Sequence, residues 1–209
     1  MSVLTASTSV APVTPPPHAP TASPYPRVKR LTVSEFHEVR STGIWDGQRT
    51  YLIRGVIWEQ GPMKPPHAAL VGIVEDALSI AFGPGYCCRS QVPLVLGLDS
   101  DPFPDVAILT GTLRDYLTVH PTSAHLVVEI AETSMFEDQT TKAELYASAG
   151  IAEYWIVDVN DRKLHVYRDP KAIPDGGTAY RNTFPLTVTD SISPLAVPTA
   201  TIRVADLLP

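Results

Sequence analysis

"HLVVEIAETS", residues 125–134, decides the architecture of this chain. It begins as a buried strand, and then Glu129 stands where another apolar side chain would fit. Side chains alternate across a sheet, so His125, Val127, Glu129 and Ala131 are expected on one face. A carboxylate inside a sheet is costly unless it is protonated, paired or bound to a cation. The stretch thus predicts a sheet core and an acid that needs a partner there.

Working outward, "YCCRSQVPLVLG" (86–97) and "FPDVAILTG" (103–111) read as two strands joined by the polar turn "LDSD". Downstream, "FEDQTTKAELYASAG" (136–150) reads as a helix, acidic in its first turn and ended by Gly150. "EYWIVDV" (153–159) and "KLHVYRD" (163–169), split by "NDR", form an expected hairpin. Nearer the N-terminus, Thr32 and Glu35 in "LTVSEFHEVR" make a capping-box pattern for a short helix. "YLIRGVIWEQG" (51–61) is expected as a strand, and "HAALVGIVEDALSIAFG" (67–83) as an amphipathic helix with Leu70, Ile73, Val74, Ala77, Leu78 and Ala81 at helical spacing. The proline-punctuated end, residues 181–208, predicts short edge strands and a covering turn. The order of elements argues for an α/β or α+β fold around one sheet.

Residues 1–26 hold seven prolines and no charged side chain before Arg27, a composition expected of a disordered tail ahead of a single domain over 27–209. At 44% hydrophobic and 18% charged the chain reads as globular, and no apolar run approaches a membrane span. Its opening residues lack the pattern of a secretory signal, so the cytoplasm is the expected location. Cys87 and Cys88 are adjacent and read as reduced thiols. Lys and Arg number 16 against 22 Asp and Glu, a formal charge of −6 that counts against tight nonspecific nucleic-acid binding, although a local basic face can coexist with it.

Asp105, after a proline and at the start of an apolar run, and Glu129 are two acids at the ends of neighbouring expected strands. Such a pair can share a hard divalent cation, which prefers carboxylate oxygens and keeps positions for water and phosphate. On the helix, Asp138, Lys142, Leu145, Tyr146 and Ala149 follow spacings of three and four, which sets Lys142 near the inward stripe. A lysine beside a metal can orient a water or offset phosphate charge. Each residue also has a plainer reading. Asp105 can be a strand-start residue, Lys142 can pair with Asp138, and Tyr154, Trp155 and Asp158 read as core and turn residues.

Together "FPDVAIL", "HLVVEIAETS", "EDQTTKAELYASAGIAEYWIVDV" and "KLHVYRDP" resemble the Uma-two family of restriction-endonuclease-like proteins, in the PD-(D/E)XK nuclease superfamily. The resemblance covers roughly residues 30–170. It implies a mixed sheet flanked by helices, with a C-terminal β-hairpin region added, and Mg²⁺ or Mn²⁺ held at Asp105 and Glu129 with the Ile130 carbonyl as a further ligand. It also implies DNA phosphodiester hydrolysis, with DNA and a second copy of the chain as partners and no membrane. Glu59 in "GVIWEQGP", His67 in "PPHAAL" and Gln91 in "SQVPLVLG" match further family positions and are expected to line the site. The superfamily lysine two residues after the second acid is Ala131 here, and Lys142 matches the position to which the family relocates it. Arg54 and Val56 stand where the family commonly has acids. The alternative expectation is a nonenzymatic nuclease-fold module for oligomerisation or partner binding.

Overall fold

The computed structural model describes residues 26–174 and 176–209. The tail expected over residues 1–26 lies, apart from Pro26, outside the described residues. Helix α1 (Val33–Ser41) opens with the expected capping box: Thr32 Oγ1 accepts from the Glu35 amide, and the Glu35 carboxylate accepts from the Thr32 amide at 2.8 Å.

"YLIRGVIWEQG" folds as a tight antiparallel hairpin, β1 (Arg49–Ile53) and β2 (Val56–Gln60), where one strand was expected. Arg54 and Gly55 turn the chain with φ of 50° and 74°, the left-handed conformation that matches strand twist in two-residue loops. Gly55 is required twice over, because a Cβ there would sit 2.5 Å from Arg30 Cβ. The turn decides which β2 side chains face inward: alternation sets Trp58 and Gln60 on one side and Glu59 on the other.

Helix α2 (Pro65–Phe82) starts on two prolines whose missing N–H groups would be unpaired in a first turn anyway. It buries Leu70, Val71, Val74, Leu78 and Phe82. The central sheet has six strands in the order β3 (Tyr86–Arg89), β4 (Val106–Thr110), β5 (Leu126–Ala131), β6 (Glu153–Asp158), β7 (Lys163–Ala172), β8 (Thr178–Thr187). All neighbours are antiparallel except β5 and β6. That parallel pair requires a crossover. The chain makes it through α3 (Met135–Glu137), a π-helical turn (Asp138–Lys142) and α4 (Ala143–Ser148), ended by Gly150 at φ 74°.

Two expected elements differ. The strand expected across 86–97 ends at Arg89, and residues 90–105 form an irregular segment pinned by main-chain bonds such as Gln91 N to Pro104 O at 2.9 Å. Pro93, Pro102 and Pro104 cannot donate to a ladder, which explains the early end. At the C-terminus β8 is ten residues long, where short strands were expected. It tolerates Pro185 because it is an edge strand. Beyond it lie β9 (Ser191–Ile192), β10 (Ile202–Arg203) and a closing 3-10 turn (Val204–Leu207).

Alternation along β5 divides the core. Leu126, Val128 and Ile130 pack with α2 and the C-terminal segment on one face. Val127 and Ala131 pack with α4, Leu94 and Leu96 on the other. Glu129 belongs to this second face. Among the described residues no helix is long and apolar enough to cross a membrane.

Candidate active site

The β4–β5 register builds the site. Val106 pairs with Val128, so one step further Asp105 lies opposite Glu129, and the Asp105 amide faces Glu129 Oε2 at 3.4 Å. Directly opposed acids repel, which makes the pair a poor choice for stability alone. Both are nearly inaccessible, 4% and 2% exposed.

Three groups hold Asp105. Its Oδ1 accepts from His67 Nε2 and from Gln91 Nε2, each at 3.0 Å, and its Oδ2 accepts from the Ile130 amide at 2.8 Å. His67 comes from the first turn of α2. Gln91 comes from the segment just past β3, with its backbone in the left-handed region at φ 53°, a strained conformation of the kind that clusters at functional sites.

Glu129 is held from the crossover helix. Tyr146 donates its hydroxyl to Oε1 at 2.7 Å, and Lys142 Nζ lies 2.9 Å from Oε2. The same ammonium lies 2.9 Å from Asp138 Oδ1, while Ser134 Oγ donates to Asp138 Oδ2 at 2.6 Å. Tyr154 fixes the Asp138 carbonyl at 3.1 Å. The widened π turn carries Asp138 and Lys142, and such turns recur at functional sites.

Electrostatics follow from this packing. Burial raises the Glu129 carboxyl above the usual carboxylate range, reinforced by Asp105 and Asp138 and opposed by the charge of Lys142 and the Tyr146 hydrogen bond. Burial would lower the Lys142 pKa, but Glu129, Asp138 and Asp105 override it and hold the ammonium above the ordinary lysine range. Burial also opposes ionisation of Asp105, yet the His67 hydrogen bond and the Lys142 charge keep it below the usual carboxylate range. The same hydrogen bond, with the Asp105 charge, raises His67 against its own burial.

Above the acids lies a cavity of about 190 Å³, walled by Tyr51, Trp58, Gln60, His67, Asp105 and Lys142. A more open one of about 370 Å³ shares Gln60, His67, Ile130 and Ser134 with it and adds Lys64 and Glu132. A larger cavity of about 510 Å³, beside Tyr116, His120 and His125, has no carboxylate in its wall.

Of the expected site residues, Asp105, Glu129, Lys142, His67 and Gln91 converge, and Ile130 contributes its amide. Glu59 does not join them: it is exposed on the outer side of β2, and its neighbours Trp58 and Gln60 face the cavity. The expected position of Gln91 on a strand is likewise corrected to the bend after β3. Ala131 is buried in the apolar cluster, and Lys142 reaches Glu129 from the helix. Arg54 sits at the hairpin turn and pairs with Glu144 at 3.0 Å. Tyr146, Ser134 and Gln60 were not foreseen as site residues; the one available signal was Tyr146, on the same inward stripe as Lys142.

The donors suit a hard cation. Two carboxylates stand side by side, and Gln60 Oε1 and Gln91 Oε1 are buried acceptor oxygens without a hydrogen-bond donor. Among the described residues no three His, Cys, Asp or Glu side chains converge as a ready cage. A carboxylate pair with amide and main-chain oxygens is the kind of set Mg²⁺ takes while keeping waters.

Comparison with known proteins agrees with this fold. No curated protein matches the chain. A solved structure described as "a putative nuclease belonging to DUF820 from Anabaena variabilis ATCC 29413" is similar with a TM-score of 0.64 and 16% identity, over 85% of this chain and 97% of that one. The family model Uma2, described as "Putative restriction endonuclease", matches residues 33–205. With its six-stranded mixed sheet and helical crossover, the chain belongs to the Uma2 family.

Proposed function

We propose that this protein is a Mg²⁺-dependent endonuclease that hydrolyses phosphodiester bonds in DNA. The observation that carries the reading is the convergence of the buried acids Asp105 and Glu129 with Lys142, beside a cavity that Asp105 and Lys142 line. A fold has no structural need for two opposed acids there, and perturbed titratable groups in a cleft mark functional sites. Membership of a family of restriction-endonuclease-like proteins supports a nuclease and makes DNA the substrate we propose.

Asp105 and Glu129 would hold the cation, with the carbonyl of Ile130 as a further ligand. When bound, Mg²⁺ supplies Lewis-acid polarisation of the phosphate and lowers the pKa of a bound water. His67 and Gln91 fix the Asp105 carboxylate through Oδ1, and Tyr146 fixes Glu129 through Oε1. Lys142, kept charged by its acidic neighbours, acts as a donor that orients the attacking water and offsets phosphate charge. Hydrolysis joins the water oxygen to phosphorus, breaks one P–O ester bond and leaves a proton on the departing oxygen.

A second reading, a nonenzymatic scaffold, is favoured by one observation: Lys142 already balances Glu129 and Asp138. Incubation of supercoiled plasmid, linear duplex, single-stranded DNA and RNA with wild type and Asp105→Asn, in MgCl₂ or EDTA, separates the two. DNA cleavage by wild type in MgCl₂ alone supports the nuclease. RNA-only cleavage replaces the substrate, and cleavage by neither protein supports the scaffold.

A further inference from the structure

Lys142 is shared between two acids whose surroundings differ. Glu129 offers it Oε2, the oxygen that also faces the Asp105 amide, because Tyr146 engages Oε1. Any cation bridging Asp105 and Glu129 on that side must draw on the oxygen that now holds the ammonium. Asp138 offers it Oδ1 at the same 2.9 Å. This acid is wholly buried, fixed at Oδ2 by Ser134, at its carbonyl by Tyr154 and at its amide by the Ser134 carbonyl. It comes from the crossover segment and not from the β4–β5 pair, yet it is as buried as either acid.

We propose that Asp138, braced by Ser134, is a positioning residue that provides the second seat of Lys142: the lysine pairs with both acids in the metal-free protein and would keep Asp138 as its counter-ion when a divalent cation engages Glu129. The inference rests on the metal-site reading above. A buried ammonium that lost Glu129 with no other carboxylate would be an unpaired buried charge, which costs several kcal/mol and would oppose cation binding. Asp138 removes that penalty without moving the helix, since both seats lie within reach of one flexible side chain.

The test is Mn²⁺ affinity, measured by isothermal titration on the full chain, in a double-mutant cycle. Lys142→Met removes the competitor and is expected to bind Mn²⁺ more tightly than wild type, whereas Lys142→Arg, which keeps the charge, is not. Asp138→Asn is expected to weaken Mn²⁺ binding about tenfold with Lys142 present, in the range found for residues that support metal ligands. In the Lys142→Met background the same change should cost clearly less, because no lysine then needs a seat. Ser134→Ala alters no charge and is expected to weaken binding by less than Asp138→Asn, so it bears on the second seat even where Lys142→Met fails to fold.

Equal losses from Asp138→Asn in both backgrounds would reduce Asp138 to a distant charge and overturn the proposal, as would unchanged affinity in Ser134→Ala. Those results leave the metal site standing. Absence of Mn²⁺ binding in both wild type and Lys142→Met overturns the metal-site reading and the second seat together.

Discussion

Two buried glutamates on the neighbouring parallel strands β5 and β6 face opposite sides of the sheet and lead opposite lives. Glu153, at the start of β6, is fully saturated. Its Oε1 accepts from Trp155 Nε1 at 2.9 Å and Arg168 Nε at 2.8 Å, and its Oε2 accepts from the Leu195 amide at 2.7 Å. Arg168 in turn donates to the Ser193 carbonyl, so the pair ties β6 and β7 to the C-terminal segment. Glu129, toward the end of β5, is held by Tyr146 and Lys142 but faces a second acid, which with burial raises its pKa, and it lies behind a cavity that Asp105 and Lys142 line. A buried acid surrounded by donors holds a fold together. One set against another acid, behind a cavity that its partner Asp105 lines, has the perturbed surroundings that mark functional-site candidates.

Mutations break or sharpen this contrast in graded steps. Glu153→Ala should have the largest effect on stability, about 3 kcal/mol in urea unfolding, because it removes a fully buried carboxylate and leaves the Trp155 indole N–H, the Leu195 amide and the part-buried Arg168 without their acceptor. Glu129→Gln should reverse the pattern: unfolding stability stays equal or rises, and DNA cleavage in MgCl₂ falls by roughly 10²–10³, the scale of a lost preorganised transition-state contact. A stability loss in Glu129→Gln matching that of Glu153→Ala would make the two acids alike. Tyr146→Phe removes one donor from Glu129 and should cost about 1 kcal/mol in unfolding with a smaller loss of cleavage. Glu59→Ala should be the mildest, within about 0.5 kcal/mol and with unchanged cleavage, as for exposed residues away from structural features. Strong loss of activity there would return Glu59 to the site.

Much of the site was legible in the sequence because its signals are local. Glu129 interrupts an apolar strand, Asp105 follows a proline at the head of another, and Lys142 falls on a helical stripe. Glu59 was misplaced for an equally local reason. Reading "YLIRGVIWEQG" as one strand hides the Arg54–Gly55 turn, and facing along β2 is set by the hairpin that this turn creates. Gln91 reaches Asp105 from a bend and not from the expected strand, since its amide bonds the Pro104 carbonyl thirteen residues along the chain. The opposition of Asp105 and Glu129 depends on the β4–β5 register, and a long-range pairing of that kind is not written in either strand alone. Ser134 and Tyr154 enter for the same reason: their partner Asp138 becomes a site residue only when the crossover helix packs against the sheet.

On the metal-site proposal, Glu129 and not Glu153 is the buried glutamate that takes a divalent cation. Melting temperature with and without MnCl₂, in wild type and Glu129→Gln at equal protein concentration, tests it most directly, because a ligand that binds only the folded state raises its stability. Wild type should be stabilised as MnCl₂ is added while the variant stays flat. Equal stabilisation of both proteins, or of neither, would contradict the claim and leave Glu129 as structural as Glu153.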